Sequence, residues 1–582
     1  MFPSIGGNGE YAVNDPIIEF RNFGFQYNAQ AEPTLYDINL TVRKGEKVVI
    51  VGPSGCGKST LAHCINGLIP FALPGESTGT VTVAGKPTKD QGIFELSRTV
   101  GTVLQDSDAQ FIGLTVAEDI AFALENDCVG EPELHERVRK AAEMVSLSTH
   151  LLHAPGDLSG GQKQRVSLAG VMVDDVEVLL FDEPLANLDP ATGKTAIELI
   201  DEIHSQTGAA IIIIEHRLED VLHRDVDRIV LMDHGRILAD APPDELLSGP
   251  LLAENGIREP LYLAALKYAG VSVRADMLPH SIRTLRLGEG EKRAVRDWFR
   301  SVPVPPEPEP QPYLLRAKNV EFAYGSGHKA LNDVSVDIRR GEMLAIVGTN
   351  GAGKSTFSKV VCGFERQQKG EISFSGCEWA SLSLKERADH VGYVMQNPNQ
   401  MISKTMIFDE VALGLRTRKV PEEEIRPRVE DALKVCGLWP FRNWPVSALS
   451  FGQKKRVTIA SILVLDPEMI ILDEPTAGQD YRHYTEIMEF LRDLNAKGVT
   501  VVLITHDMHL MLEYAPRAVV FSAGRVLADD SSAAILTDPE IIAAASLKET
   551  SLYDLALLCG IDDPRAFVQR FIDHERKEAR QQ

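Results

Sequence analysis

Two tandem α/β nucleotide-binding domains are predicted by three features of this 582-residue chain. Glycine-rich loops of the form G-x-x-x-x-G-K-S occur twice, each after a short apolar run. Further motifs follow each loop at nearly the same interval in both halves. Apolar runs of strand length alternate with helical patterns, the order expected of a parallel sheet with crossover helices.

The first loop comprises Gly52, Pro53, Ser54, Gly55, Cys56, Gly57, Lys58 and Ser59, and it follows the run 47–51. The second comprises Gly348, Thr349, Asn350, Gly351, Ala352, Gly353, Lys354 and Ser355, after the run 343–347. Glycines at these positions let successive backbone N–H groups turn inward and cradle phosphate oxygens. At this spacing Lys58 and Lys354 reach the β- and γ-phosphates, and Ser59 and Ser355 hold Mg²⁺. Thr60 and Thr356, next in sequence, belong to the same nucleotide-binding set. One such match could be an ordinary glycine turn before a helix. Two matches in strand–loop–helix context mean that the chain binds two nucleotides.

The halves repeat in register. Lys58 pairs with Lys354, Gln105 with Gln396, Asp182 with Asp473 and His216 with His506. The first copy is a few residues longer between loop and glutamine, around Pro70–Ser77. The correspondence persists beyond these motifs: Leu261-Tyr262 and Ala265-Leu266 match Leu552-Tyr553 and Ala556-Leu557. The chain therefore divides into a first nucleotide-binding domain (1–245), a small helical module (246–300), a linker (301–312), a second nucleotide-binding domain (313–534) and a second helical module (535–582). Proline at nearly every second position from Val302 to Pro312 fixes φ and removes amide donors, so the linker reads as a stiff polyproline spacer.

With 44% hydrophobic and 25% charged residues the composition is that of a globular protein. A formal net charge of −23 argues against gripping nucleic acid or docking directly on anionic lipid. No apolar run approaches the ~20 residues of a membrane-spanning helix, and the N-terminus shows no secretory signal pattern. Seven scattered cysteines without a C-x-x-C pair fit a reducing cytoplasm.

Phosphate loops alone fit kinases, GTPases, helicases and transporter motors. The first half adds Leu158-Ser159-Gly160-Gly161-Gln162, then the run 178–181 ending in Asp182-Glu183-Pro184, then Leu188-Asp189 and His216. The second half adds Leu449-Ser450-Phe451-Gly452-Gln453, then the run 469–472 ending in Asp473-Glu474-Pro475, then Gln479-Asp480 and His506. In this order the set resembles the ATP-binding cassette (ABC) family over almost all of both halves. The resemblance implies a doubly wound ATPase core with an inserted helical signature subdomain. It also implies halves that face head to tail, with each signature loop closing over the other half's ATP. Ser159, Gly160, Gly161 and Gln162 would then cover the second ATP, and Ser450, Phe451, Gly452 and Gln453 the first.

Within that resemblance each residue has a chemical reason. Asp182 and Asp473 end apolar strands, where an ionised carboxylate is costly unless a cation such as Mg²⁺ offsets it. Glu183 and Glu474 follow directly and are placed to orient and deprotonate the attacking water. His216 and His506 would bond the γ-phosphate. Gln105 and Gln396 would ligate Mg²⁺ or its water and so sense nucleotide. Tyr27 and Tyr324, upstream of the phosphate loops, would stack on adenine. One departure stands out: Phe451 replaces the first signature glycine of the second half. It is read as a tolerated variant, because every acidic, glutamine and histidine position is intact.

The finer resemblance is to the ATPases of energy-coupling-factor (ECF) importers. It rests on Gly101–Asp106 with Gln110-Phe111 and Thr115–Asp119, on Gly392–Pro398 with Gln400, on Ile214–Arg217 and on the helical modules. It implies a transmembrane coupling protein and a small substrate-binding membrane protein as partners. It also implies a peripheral place on the cytoplasmic face and import of a vitamin, vitamin precursor or metal ion, with a lean toward a thiamine precursor such as hydroxymethylpyrimidine. The alternative is a soluble twin-ABC translation factor acting on the ribosome. That reading fits the absence of apolar spans but not the short proline-rich linker or the acidity.

Overall fold

The computed structural model describes residues 15–104, 110–186, 188–304, 311–325, 327, 329–476 and 479–578. Gln105, part of the expected nucleotide site, and residues 305–310 of the proline-rich linker lie outside these residues. The chain forms two compact units. One comprises residues 1–188, 192–260 and 273–286; the other comprises 189–191, 261–272 and 287–582.

In the first unit a six-stranded sheet is built around Lys47–Val51, whose five residues are all buried. This strand pairs in parallel with Ala210–Ile214 on one side and Arg228–Asp233 on the other. Val178–Asp182 and Val100–Val103 extend the sheet in parallel beyond Ala210–Ile214. Arg236–Ala241 closes the other edge as an antiparallel strand. Covering on both faces explains why the central strands read as unbroken apolar runs rather than alternating ones. A separate antiparallel sheet has Pro16–Tyr27 between Leu35–Arg43 and Gly75–Val83, with the short Lys86–Pro87 at its edge. Phe20, Phe25, Leu35 and Val83 of this sheet share one core with Ile50, Leu61 and Ile212.

The second unit repeats the plan. Met343–Gly348 lies between Thr500–Ile504 and Arg517–Ser522, with Met469–Asp473 and Val391–Val394 beyond. The corresponding antiparallel sheet contains Tyr313–Ala323, Lys329–Arg339, Lys369–Phe374 and Cys377–Glu378. The insertion between Val391–Val394 and Met469–Asp473 folds as helices Ile407–Thr417, Glu422–Val435 and Phe451–Leu463, which bury Val411, Leu415, Val429, Leu433 and Val457 in a core of their own. In the first unit the equivalent helices are Val116–Asn126, Glu131–Met144 and Gly160–Met172.

The extra residues of the first copy around Pro70 form the short helix Leu68–Phe71 and lengthen the next strand to Gly75–Val83. Residues 246–300 are shared between the units. Helix Leu251–Glu254 belongs to the first, whereas Leu261–Tyr268 and Glu289–Ser301 belong to the second. There they meet helices Ser551–Leu558 and Pro564–Glu578. The reason lies in their apolar faces: the Trp298 ring sits 5.8 Å from Phe567, and the Tyr268 hydroxyl donates to Glu575 Oε1 at 2.5 Å. Arg296 adds a hydrogen bond to the Cys559 carbonyl at 2.8 Å.

Candidate active site

Both phosphate loops leave the carboxyl end of a central parallel strand and enter a helix, Lys58–Ile65 or Lys354–Cys362. Gly57 at φ 106° and Gly353 at φ 101° are the left-handed residues that turn each loop into its helix. A side chain is excluded at Gly57 twice over, because a Cβ there would lie 2.7 Å from Leu35 Cδ2. The turn leaves backbone N–H groups at a helix N-terminus, where an anion is favoured.

The two lysines are buried and held alike. Lys58 Nζ donates to the Gly52 and Pro53 carbonyls at 2.8 and 2.9 Å, and Lys354 Nζ to the Gly348 and Thr349 carbonyls at the same distances. Each ammonium thus braces its own loop from within. Burial lowers the Lys354 pKa, and the charges of Glu474 and Asp473 oppose that shift.

The acidic pairs sit opposite. Ser59 Oγ donates to Asp182 Oδ1 at 3.5 Å. Burial raises the Asp182 pKa, and the neighbouring Glu183 charge raises it further. Burial likewise raises that of Asp473, which accepts a hydrogen bond from the Tyr393 hydroxyl at 2.8 Å. A buried carboxylate beside a loop hydroxyl, both hard oxygen donors, fits a magnesium ion. Each catalytic-glutamate candidate occupies a backbone conformation unusual for its type: Glu183 has φ 50° and Glu474 φ 46°. Their amides close onto the adjacent strand, Glu183 N to Ile214 O and Glu474 N to Ile504 O, both at 2.9 Å. This kink turns the glutamate away from the strand direction that carries the aspartate.

Each glutamate meets its histidine. His216 Nε2 lies 2.7 Å from Glu183 Oε1, and His506 Nδ1 lies 2.9 Å from Glu474 Oε1. At Glu183, burial works to raise the pKa. The His216 hydrogen bond and charge, aided by Lys58 and Arg217, outweigh it and hold the carboxyl below its usual range. The side chain is therefore an anion at neutral pH.

Tyr27 and Tyr324 stand beside the phosphate-loop helices. The Tyr27 hydroxyl is 3.1 Å from Thr60 Oγ1 and that of Tyr324 is 3.4 Å from Thr356 Oγ1. Their rings are edge-on to Phe25 and Phe322.

Both signature serines cap helices. Ser159 Oγ accepts from Gln162 N at 3.4 Å while Ser159 N donates to Gln162 Oε1 at 2.9 Å, a reciprocal capping box. Ser450 and Gln453 do the same at 3.3 and 3.0 Å. Gly160 and Phe451 are the first residues of their helices, and neither has a left-handed φ. The phenylalanine therefore costs nothing in backbone conformation, and the residue is 43% exposed.

The family described as "ABC transporter" matches residues 35–186 and 331–477, which contain both phosphate loops, both signatures and both acidic pairs. A Clostridium perfringens ABC transporter ATP-binding protein is 59% identical over 561 residues, covering 96% of this chain and 98% of the relative. This chain belongs to the ABC transporter ATPase family.

An Enterococcus faecalis ABC transporter ATP-binding protein is 57% identical over 567 residues, 97% of this chain and 99% of the relative. Residues 250–322 match a second family, described as "ATP-binding cassette cobalt transporter". Among solved structures, the Clostridium perfringens protein cbiO1, described as part of the ABC transporter complex cbiONQ, is 34% identical. It covers 40% of this chain and 94% of its own at a TM-score of 0.38. As a member of the family this twin ABC ATPase binds ATP and couples its hydrolysis to transport.

Several residues around the site were given no role by the sequence, although they lie in stretches that carry the finer resemblance. Glu215, 2% exposed, accepts backbone N–H bonds from Leu185 at 3.1 Å, His216 at 2.8 Å and Arg217 at 3.3 Å. The Arg217 guanidinium in turn donates to the Leu185 carbonyl. The carboxylate and guanidinium thus hold the segment just beyond Glu183 from both sides, and burial raises the Glu215 pKa. The second copy has Thr505 at this position. Tyr393, within the Gly392–Pro398 stretch, was likewise given no role; its hydroxyl contact with Asp473 marks one.

Proposed function

We propose that this chain is the motor subunit of an ECF-type importer for a small micronutrient and rests peripherally on the cytoplasmic face of a membrane. The observation that carries the reading is that two complete sets of nucleotide-handling residues occur in a chain with a cobalt-transporter region at 250–322. Among the described residues no helix is long and apolar enough to cross a membrane; in this reading the permeation path belongs to the partner chains. The partners are a transmembrane coupling protein and a small substrate-binding membrane protein. A metal ion is the substrate class that the family description favours, and a vitamin precursor such as hydroxymethylpyrimidine is the other.

Lys58 and Lys354, with the loop amides, bind the β- and γ-phosphates. Asp182 with Ser59, and Asp473 with Ser355, would hold Mg²⁺, joined by Gln105 and Gln396; Mg²⁺ neutralises charge developing on the phosphates. Glu183 and Glu474 take the proton of the attacking water, and His216 and His506 orient them and bond the γ-phosphate. Head-to-tail closure would bring Ser450–Gln453 over the first ATP and Ser159–Gln162 over the second. Tyr27 and Tyr324 would stack on adenine.

The stretches 105–119 and 396–410 follow the glutamines and would receive the coupling protein. Exposed apolar side chains at Ile112 (64%) and Leu114 (82%) in the first stretch support a protein partner there. Affinity purification of the full chain from detergent-solubilised membranes is expected to recover two membrane proteins, with crosslinks from residues 110–119. Recovery of ribosomal RNA, or crosslinks confined to residues 301–312, would overturn the proposal.

A further inference from the structure

The signature helices differ at one position that makes a different tie in each copy. Two residues beyond the signature glutamines Gln162 and Gln453 stand Gln164 in the first copy and Lys455 in the second. Gln164 Nε2 donates to the Pro184 carbonyl at 2.6 Å, in the segment just after Glu183. Lys455 turns elsewhere: its Nζ donates to the carbonyls of Met395 and Gln396, both at 2.8 Å. Lys455 is 1% exposed. An ammonium so deeply buried is costly unless its protons are used. Burial pulls the Lys455 pKa down to about 8, with the Asp473 and Glu474 charges opposing. Two carbonyls from consecutive residues, aimed at one cation, pin the backbone at the point where strand Val391–Val394 gives way to the second glutamine loop.

We propose that Lys455 is a positioning residue that fastens the Met395–Gln396 backbone to the second signature helix, so that the second glutamine loop and this helix move as one body. Among the described residues, the tie made from the equivalent position of the first copy runs to the segment after Glu183. The two halves would then transmit nucleotide state to their signature helices by different routes. That consequence rests on the nucleotide-sensing role of Gln396; the fastening itself does not.

The test uses the full chain with Lys455→Gln, Lys455→Arg and Gln396→Ala, read by backbone hydrogen exchange and by steady-state ATPase kinetics. Lys455→Gln removes two charge-assisted hydrogen bonds. It is expected to speed exchange at the Gln396 and Asn397 amides, which share peptide groups with the two held carbonyls, about tenfold and to lower kcat by about tenfold, with KM for ATP changed less than about twofold. Exchange in the central strand Met343–Gly348 should not change. Lys455→Arg, which keeps a cation with several donors, should restore the wild-type exchange and most of kcat. Native exchange at Gln396 and Asn397 together with wild-type kcat in Lys455→Gln would overturn the proposal. So would faster exchange throughout, with 343–348 included, since that marks a stability role only; if Lys455→Gln does not fold, fast exchange at Gln396 and Asn397 in Lys455→Arg contradicts it equally. Normal turnover in Gln396→Ala beside loosened exchange in Lys455→Gln would remove the sensing role of Gln396 and leave the fastening in place.

Discussion

Glu183→Gln combined with Glu474→Gln is expected to lower ATP turnover by about 10²–10⁴ and to leave ATP trapped on the protein. The expectation follows from the state of the side chain as well as its place. Glu183 sits at a left-handed backbone position, bonded to His216, with its pKa held below the carboxylate range. It is thus ionised at neutral pH, the state that a proton acceptor needs. Glutamine keeps the shape and can still donate to the histidine ring, but it cannot accept a proton from water. Lys58 and Lys354, proposed to bind the phosphates, are untouched, so the loss should appear in turnover and not in nucleotide occupancy. Nucleotide retained after rapid gel filtration, assayed as ATP or ADP, is the direct check. Wild-type turnover in the double variant would refute the assignment of both glutamates.

Lys58→Ala combined with Lys354→Ala should act earlier, on binding. Each ammonium is buried and braces its loop through two carbonyls, so its removal withdraws the charge facing the phosphates and the brace together. Charge-assisted contacts of about 2–4 kcal/mol correspond to roughly 30- to 1,000-fold weaker ATP affinity. Equilibrium binding of ATP without magnesium isolates this effect from the metal. Unaltered affinity would show that the loop amides alone carry the phosphates.

The loops, signatures, acidic pairs and histidines were legible in the sequence because each needs a residue type at a fixed spacing. Strands Ala210–Ile214 and Thr500–Ile504 were legible because a strand buried on both faces leaves an unbroken apolar run. The left-handed turn at Glu183 and Glu474 was not, since no glycine marks it; it is imposed by the amide bond to the next strand. Lys455 escaped notice, and Glu215 and Tyr393 were quoted for the resemblance without a role, for a related reason. Their roles come from contacts between segments far apart in sequence, and a buried Glu or Lys looks like any charged residue until its burial is known. The assignment of helices Leu261–Tyr268 and Glu289–Ser301 to the second unit was likewise hidden, because the aromatic faces of Tyr268 and Trp298 name no partner by themselves. Phe451 was read from the sequence as a tolerated variant of the signature. In the structure it starts a helix with an ordinary backbone and leaves the Ser450–Gln453 cap intact.

That both ATP sites of this chain are built to hydrolyse is tested most directly by single-turnover cleavage in Glu474→Gln, which leaves only the first site its base. Glu183, His216, Asp182 and Ser59 stand together there as their counterparts do in the second site. One bound ATP per chain is expected to be cleaved, at a rate within about tenfold of that in Glu183→Gln, a difference of about 1.4 kcal/mol in barrier. Full ATP occupancy of the first site with no detectable cleavage would contradict the account, and would show that Phe451 or Glu215 has turned that site from a catalytic centre into a regulatory one.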